Sequence, residues 1–191
     1  MIVSREREKL LNAMVFFCQK TKHCHTLKLF KLLNFLDFEH YRQAGRTVTG
    51  LDYAAFERGP VPRSLWQEMS KGPGADMRAA LSIVAMKDEI TDKVVRRDIK
   101  ARVQFNRALF TRRELAIMDR LAEIFQDVQG DDMSEFSHMK GLPWRKVWDK
   151  GAGNGRKIAP DLALSAAPID HDVPSIEPDE IALREDLRKL A

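Results

Sequence analysis

At 191 residues, with 44% hydrophobic and 31% charged side chains, the chain has the composition of a globular protein long enough for one domain with a real core. No stretch approaches the roughly 18 uninterrupted apolar residues of a membrane span. The opening Met1-Ile-Val-Ser-Arg-Glu-Arg-Glu-Lys also lacks the apolar run and cleavage site of a signal peptide. Cys18 and Cys24, with no such signal, suit free thiols in a reducing compartment, so a cytoplasmic location is expected. The net charge of +4 is uneven: residues 1–110 carry 20 Lys and Arg against 12 Asp and Glu, residues 111–191 carry 12 against 16. A basic front and an acidic rear suit an acidic partner, nucleic acid, or each other. Without a dense basic tract interleaved with aromatics, or a zinc-finger spacing, nucleic acid is the alternative ligand and not the leading one.

Ser4 to about Thr21 reads as a first helix, with Leu10, Leu11, Met14, Phe17 and Cys18 on its apolar stripe. A polar break, Thr21 to His25, leads into a second. There Leu29, Leu32, Leu33, Leu36 and His40 share one face, Thr26 is placed as the cap, and Gly45 falls just past the end. Thr47-Val48-Thr49 and Tyr53-Ala-Ala-Phe56 are short enough for strands or extended turns. Next come Gly59, Pro60, Val61 and Pro62. The prolines fix their own φ and push Gly59 and Val61 out of the helical region, which predicts a rigid corner. Pro62 then serves as a first-turn residue for a helix over Arg63 to Met69, which carries Trp66.

Ser70 to Ala75 is a loop, and Asp76 to Val84 is open between a short helix and a strand. Met86 to Phe110 predicts one or two strands beside the first β patch, with flanking Lys and Arg guarding the edge. Thr111 and Glu114 form a capping box that opens a helix to about Val128, with Leu115, Met118, Leu121, Ala122 and Phe125 buried and Gly130 ending it. Asp131 to His138 suits a short helix, followed by Pro143, Trp144 and Trp148 and a glycine-rich connector to Ile158. Pro160 to Pro178 reads as an extended linker. Asp179 to Ala191 reads as a last helix with Leu183, Leu187 and Leu190 on one side. The expected fold is mainly α with a small antiparallel β element (α+β): a helical hairpin, a β patch, then a second helical group.

The run Lys31-Leu-Leu-x-Phe-x-Asp37, then Gly45-Arg-x-x-Thr-Gly-x-x-Tyr53, then Gly59-Pro-Val-Pro62, resembles the Panacea domain of the SocA-like bacterial and phage antitoxins. Ser137-His138 and Trp144 match a later, weaker motif of the same family, and Asn34 stands where many members carry an aromatic. The resemblance runs over residues 1–158, leaving 159–191 as the linker and terminal helix. It implies an antitoxin that binds a cognate protein toxin, encoded beside it, by direct contact. The SocA-like branch implies a variant that delivers the toxin to an ATP-dependent protease. The rival reading from the residues alone is a nucleic-acid-binding regulator.

Cys18, His23, Cys24 and His25 are all zinc-ligand types, but three consecutive residues rarely aim at one tetrahedral ion, and buried thiol plus loop is the expected reading. Asp37, His40 and Tyr41 sit within two helical turns, and folding can bring His138 near; acid–base chemistry uses such pairs. With no nucleophile elbow or phosphate loop, an orienting hydrogen bond under the β patch is expected and no enzyme, metal or cofactor is implied. The residues expected to touch or shape a partner surface are Lys31, Asp37, His40, Tyr53, Gly59, Pro60, Val61, Pro62, Trp66, His138, Trp144 and Trp148.

Overall fold

The structure, a computed structural model, describes residues 5–128, 133 and 142–166. Gly130, the Asp131 to His138 segment apart from Met133, and the Asp179 to Ala191 helix lie outside the described residues. The elements in order are α1 (Glu6–Lys20), α2 (Thr26–Ala44), β1 (Tyr53–Phe56), β2 (Gly59–Pro62), α3 (Arg63–Lys71), α4 (Ala75–Ala80), β3 (Leu81–Lys87), β4 (Val94–Ala101), α5 (Arg112–Ile124), α6 (Pro143–Trp148) and β5 (Lys157–Ile158). The fold is mainly α with two small antiparallel sheets, an α+β architecture. No helix among the described residues is long and apolar enough to cross a membrane.

α2 is the axis of the molecule. Every residue from Lys28 to Arg42 is buried, whereas periodicity predicts one buried face. Phe30, Phe35 and Phe38 fill the faces between the leucines, and a helix apolar all round is stable only when covered on all sides. α1, α5, β2, β4 and the turn over Pro160–Ser165 supply the cover. Residues 160–165, expected to start an extended linker, instead form a 3₁₀ helix against α2, with Ala163 buried and Leu164 packed on Tyr41. Gly45 ends α2 in the left-handed conformation at φ 62°, the backbone a residue without Cβ adopts at least cost. Thr26 is not the cap. His25 holds that position, and the Thr26 hydroxyl lies 3.4 Å from the Arg97 carbonyl instead.

The β elements correct two expectations and decide a third that the sequence leaves open. Of the two readings open to it, strand or extended turn, Thr47 to Thr49 takes the turn, because the amides of Val48 and Thr49 are consumed by a side chain of α2 (below). Gly59–Pro62 is a strand, paired to β1 in the register Tyr53↔Pro62 to Phe56↔Gly59 across the two-residue connection Glu57-Arg58. The sheet order β2-β1-β5 puts β2 at an edge, where prolines two apart lack their N–H on one and the same side. Gly59 sits at φ 118°, a conformation strained for any residue with a Cβ, and so lets the tight connection close. The strands after Leu81 do not extend this patch. β3 and β4 form their own hairpin, in register Ile83↔Ile99. That hairpin is tied to the start of α2 by the bridge His25↔Asp98.

α5 carries the Thr111/Glu114 capping box, and all five expected stripe residues are buried. It stops at Ile124, four residues before the expected end. Lys28 reaches from α2 to two of the carbonyls that follow, Val128 O (2.7 Å) and Gln126 O (3.3 Å), and to Lys22 O (2.7 Å) in the turn before α2. Glu114 also accepts from Lys9 at 2.6 Å, joining α1 to the cap. Replacing Thr111 with Ala removes the side-chain half of the box. We expect a loss of about 1 kcal/mol in chemical denaturation, with the m-value unchanged.

Candidate partner-binding groove

Asp37 has no exposed surface, yet four donors converge on it. The amides of Val48 and Thr49 each donate at 2.8 Å to Oδ1, and the hydroxyls of Thr49 and Tyr53 donate to Oδ2, the latter at 2.8 Å. Burial pushes the Asp37 carboxyl up from 3.8 to about 6 against the lowering pull of these donors. One turn on, His40 Nδ1 lies 2.7 Å from the Arg46 carbonyl, which can only accept, so that nitrogen carries the proton. Burial lowers the His40 pKa and keeps the ring neutral. Asp37 and His40 thus fasten the same loop, Arg46 to Thr49, from two sides, and that loop delivers the chain into β1. The Tyr53 ring meets Phe38 edge-on at 5.8 Å, fixing β1 over α2.

The hairpin so anchored forms one wall of an open groove of about 850 Å³. Phe56, Arg58 and Val61 line it from β1 and β2, and Trp66 from α3. Trp148 of α6 contributes a third aromatic; it stacks on Trp144 at 5.4 Å, and Trp144 Nε1 donates to Phe56 O at 2.9 Å. Arg63 lies over the Phe56 ring at 5.4 Å from its centroid. The opposite wall is His25 to Leu27 and Phe30 of α2 with Val94 to Arg97 of β4. Burial and the Arg96 cation push the His25 imidazole below its usual range. Trp66 is 47% exposed and Val95 65%, large apolar groups facing water on a rim that also carries Arg58, Arg96 and Arg97.

The free edge of β4 opens here. Ile99 N donates to Cys24 O at 2.9 Å, and strand alternation turns the Arg97 amide toward the same side; the pairing with β3 then shifts from Met86↔Arg96 to Lys87↔Val94, a bulge that leaves Val95 unpaired. Beyond the His25↔Asp98 bridge, that edge has no strand partner among the described residues. The edge of β2, by contrast, is blunted by Pro60 and Pro62.

The sequence profile described as antitoxin SocA-like, Panacea domain, matches residues 29–145. That span runs from the first turn of α2 into α6 and includes Asp37, its loop and most of the groove. The chain belongs to this family. No curated protein and no solved structure matches it.

Within this Panacea domain the expected residues fall into two groups. Val61, Trp66 and Trp148 line the groove. Lys31, Asp37, His40, Tyr53, Gly59, Pro60, Pro62 and Trp144 are buried, beneath or behind it. His138 lies outside the described residues. Asp37 and His40 are turned to separate backbone partners, so they make no acid–base pair with each other. Among the described residues no group of three His, Cys, Asp or Glu is arranged to hold a metal ion. Sequence reasoning missed Arg58, Val94, Val95, Arg96 and Arg97. The one available signal was the pair of adjacent valines followed by two arginines, more apolar surface than a guarded edge strand needs. It also missed the buried pair Glu39–Arg42, spaced i,i+3 on α2, to which Gln43 adds a 2.7 Å bond. Asn34, 7% exposed, has its Nδ2 without a hydrogen-bond partner among the described residues.

The raised Asp37 pKa has a definite sign in stability. A carboxyl whose folded pKa exceeds its unfolded one favours the fold most when protonated. Its contribution is complete below the unfolded value of 3.8 and is lost as pH rises through about 6. At about 1.4 kcal/mol per pKa unit the loss is on the order of 3 kcal/mol. Urea denaturation of the wild type and Asp37→Asn from pH 4 to pH 7 is the measurement. The stability of the wild type relative to the variant should fall across that window; a constant difference would contradict the assignment. Asn34→Leu should raise the unfolding free energy by about 1 kcal/mol in the same titration, since it removes the orphaned donor.

Proposed function

We propose that the protein is an antitoxin that neutralises a cognate protein toxin by direct contact, and that the groove between the β1–β2 hairpin and β4 is the contact surface. The observation that carries this reading is the concentration of exposed Trp66, Val94 and Val95 among Arg58, Arg96 and Arg97. Aromatic and arginine anchors around a desolvatable centre are what protein interfaces use, and single exposed apolar residues elsewhere need no such explanation. Inhibition of this kind needs shape and burial and no reactive group. An interface of about 1,600 Å² with a few such anchors is enough for tight binding.

The open edge of β4 gives the contact a mode. An extended segment of the toxin adds along β4 between the Thr26 contact at Arg97 and the bulge at Val95, its apolar residues toward Trp66 and Phe30 and its acidic residues toward the arginines. The two prolines of β2 steer the segment to β4 by denying it donors on the other wall.

The test is co-expression with the protein encoded by the neighbouring gene, and titration of the two purified proteins. Trp66→Asp and Arg58→Glu should each weaken binding at least about tenfold and abolish growth rescue, with melting temperatures close to wild type because both residues are exposed. Wild-type affinity in both variants would remove the groove from the contact. Rescue that persists in a host lacking its ATP-dependent proteases separates occlusion from delivery for degradation.

A further inference from the structure

The turn between α1 and α2 holds two thiols that the groove does not use. Cys18 lies in the last turn of α1 and Cys24 just before α2, with their Sγ atoms 2.8 Å apart, inside ordinary non-bonded contact for two sulfurs. Both are free, and both are only half-buried. A cavity of about 270 Å³ gives access to them; His23, His25, Lys100 and the ion pair Arg96–Asp98 line it, so cations and imidazoles outnumber the one carboxylate around the thiols. Reactive thiols sit in such partly exposed, electropositive surroundings, whereas structural ones are sealed in apolar cores. The backbone brings the thiols together by a costly route, since His23 takes the left-handed conformation at φ 53°.

We propose that Cys18 and Cys24 are a reversible dithiol that a peroxide oxidises to an intramolecular disulfide, locking the turn that carries one wall of the groove. In the proposed sequence Cys24 attacks first and Cys18 keeps its proton until the second step; hydrogen bonding to Cys24 and burial push the Cys18 thiol up. The Cys24 thiolate displaces hydroxide from the peroxide O–O bond, giving a sulfenic acid. The Cys18 sulfur then attacks Cys24 Sγ; the S–S bond forms, the S–O bond breaks, and hydroxide leaves with the Cys18 proton as water. Two electrons pass from the sulfurs to the peroxide, and a dithiol reductant reverses the step. The mechanical consequence follows from connectivity. Cys24 O accepts from Ile99 N, His25 is bridged to Asp98, and His25, Thr26 and Leu27 line the groove. A cross-link at Cys24 therefore ties the end of α1 to the point where α2 meets β4. The proposal is independent of what occupies the groove.

The experiment treats the reduced full chain with one equivalent of hydrogen peroxide and reads intact mass and a non-reducing digest. The expected result is joint loss of both thiols, a mass lower by two hydrogens, and a linked Cys18–Cys24 peptide, all restored by dithiothreitol. Amide exchange across residues 21–26 should slow at least about tenfold on oxidation. In Cys18→Ser the same treatment should leave a sulfenic acid at Cys24 that dimedone traps. Oxygen addition at one cysteine with the other thiol intact in the wild type, disulfide-linked dimers, or both thiols surviving excess peroxide would overturn the proposal. Unchanged exchange in the oxidised turn would overturn the lock. The wild-type digest decides the chemistry even if the variant fails to fold.

Discussion

Asp37 is removed wholly from water, and what it receives in return is the backbone of a segment that has no regular structure of its own. A carboxylate in an apolar interior is costly unless every lone pair is engaged. The amides of Val48 and Thr49 and the hydroxyls of Thr49 and Tyr53 offset part of that cost and are themselves satisfied by doing so. The loop after α2 cannot shift without stranding a buried charge. Position of β1, and through β1 of β2 and β5, follows from this one set of bonds.

The same logic recurs along α2. Lys28 collects carbonyls beyond the end of α5, His40 donates to the Arg46 carbonyl, and Arg42 pairs with Glu39. Charges spaced along a buried helix would be a liability in isolation. Here several are the hydrogen-bonding partners of irregular segments that would otherwise bury orphaned backbone groups. The leucines and phenylalanines of α2 supply burial and the polar residues supply register, so the helix dictates where neighbouring loops go as well as what packs on it.

This division explains what was legible in the sequence. Local rules located the ends of α2 at Gly45 and of α5 at Thr111, because caps are written in adjacent residues. They also found β1 and the helix after Pro62. Contacts between distant segments were illegible. Thr47-Val48-Thr49 has strand propensity, and only the arrival of Asp37 from eleven residues away turns it into a loop. Glycine and proline signalled a corner at Gly59 to Pro62, but whether a partner strand lies alongside depends on β1 and not on those four residues. The pattern of β4 told of a strand but not of its neighbour. Only the fold shows that its edge meets the start of α2 and that Val94 and Val95 stay exposed beyond that meeting. The site was half visible for the same reason: the motif residues Lys31, Asp37 and Tyr53 define a scaffold, and the groove residues follow no short-range rule.

Scaffold and groove also differ in what a substitution disturbs. Replacing Asp37 or Tyr53 breaks a closed set of buried bonds, so these positions are held by folding whatever the protein binds. Trp66, Val95, Arg58 and Arg97 project from elements whose position is set elsewhere: α3 by Leu65 and Met69, β4 by Ile99 and its ladder to β3, and the hairpin tip by the bond from Trp144 to Phe56. Their side chains are therefore free to change size and charge at little cost to the fold. A binding surface built on such positions can be fitted to different partners while the interior stays constant. On the proposed reading, identity of the toxin is encoded on the groove walls, and the residues by which the family is recognised encode only the frame that presents them.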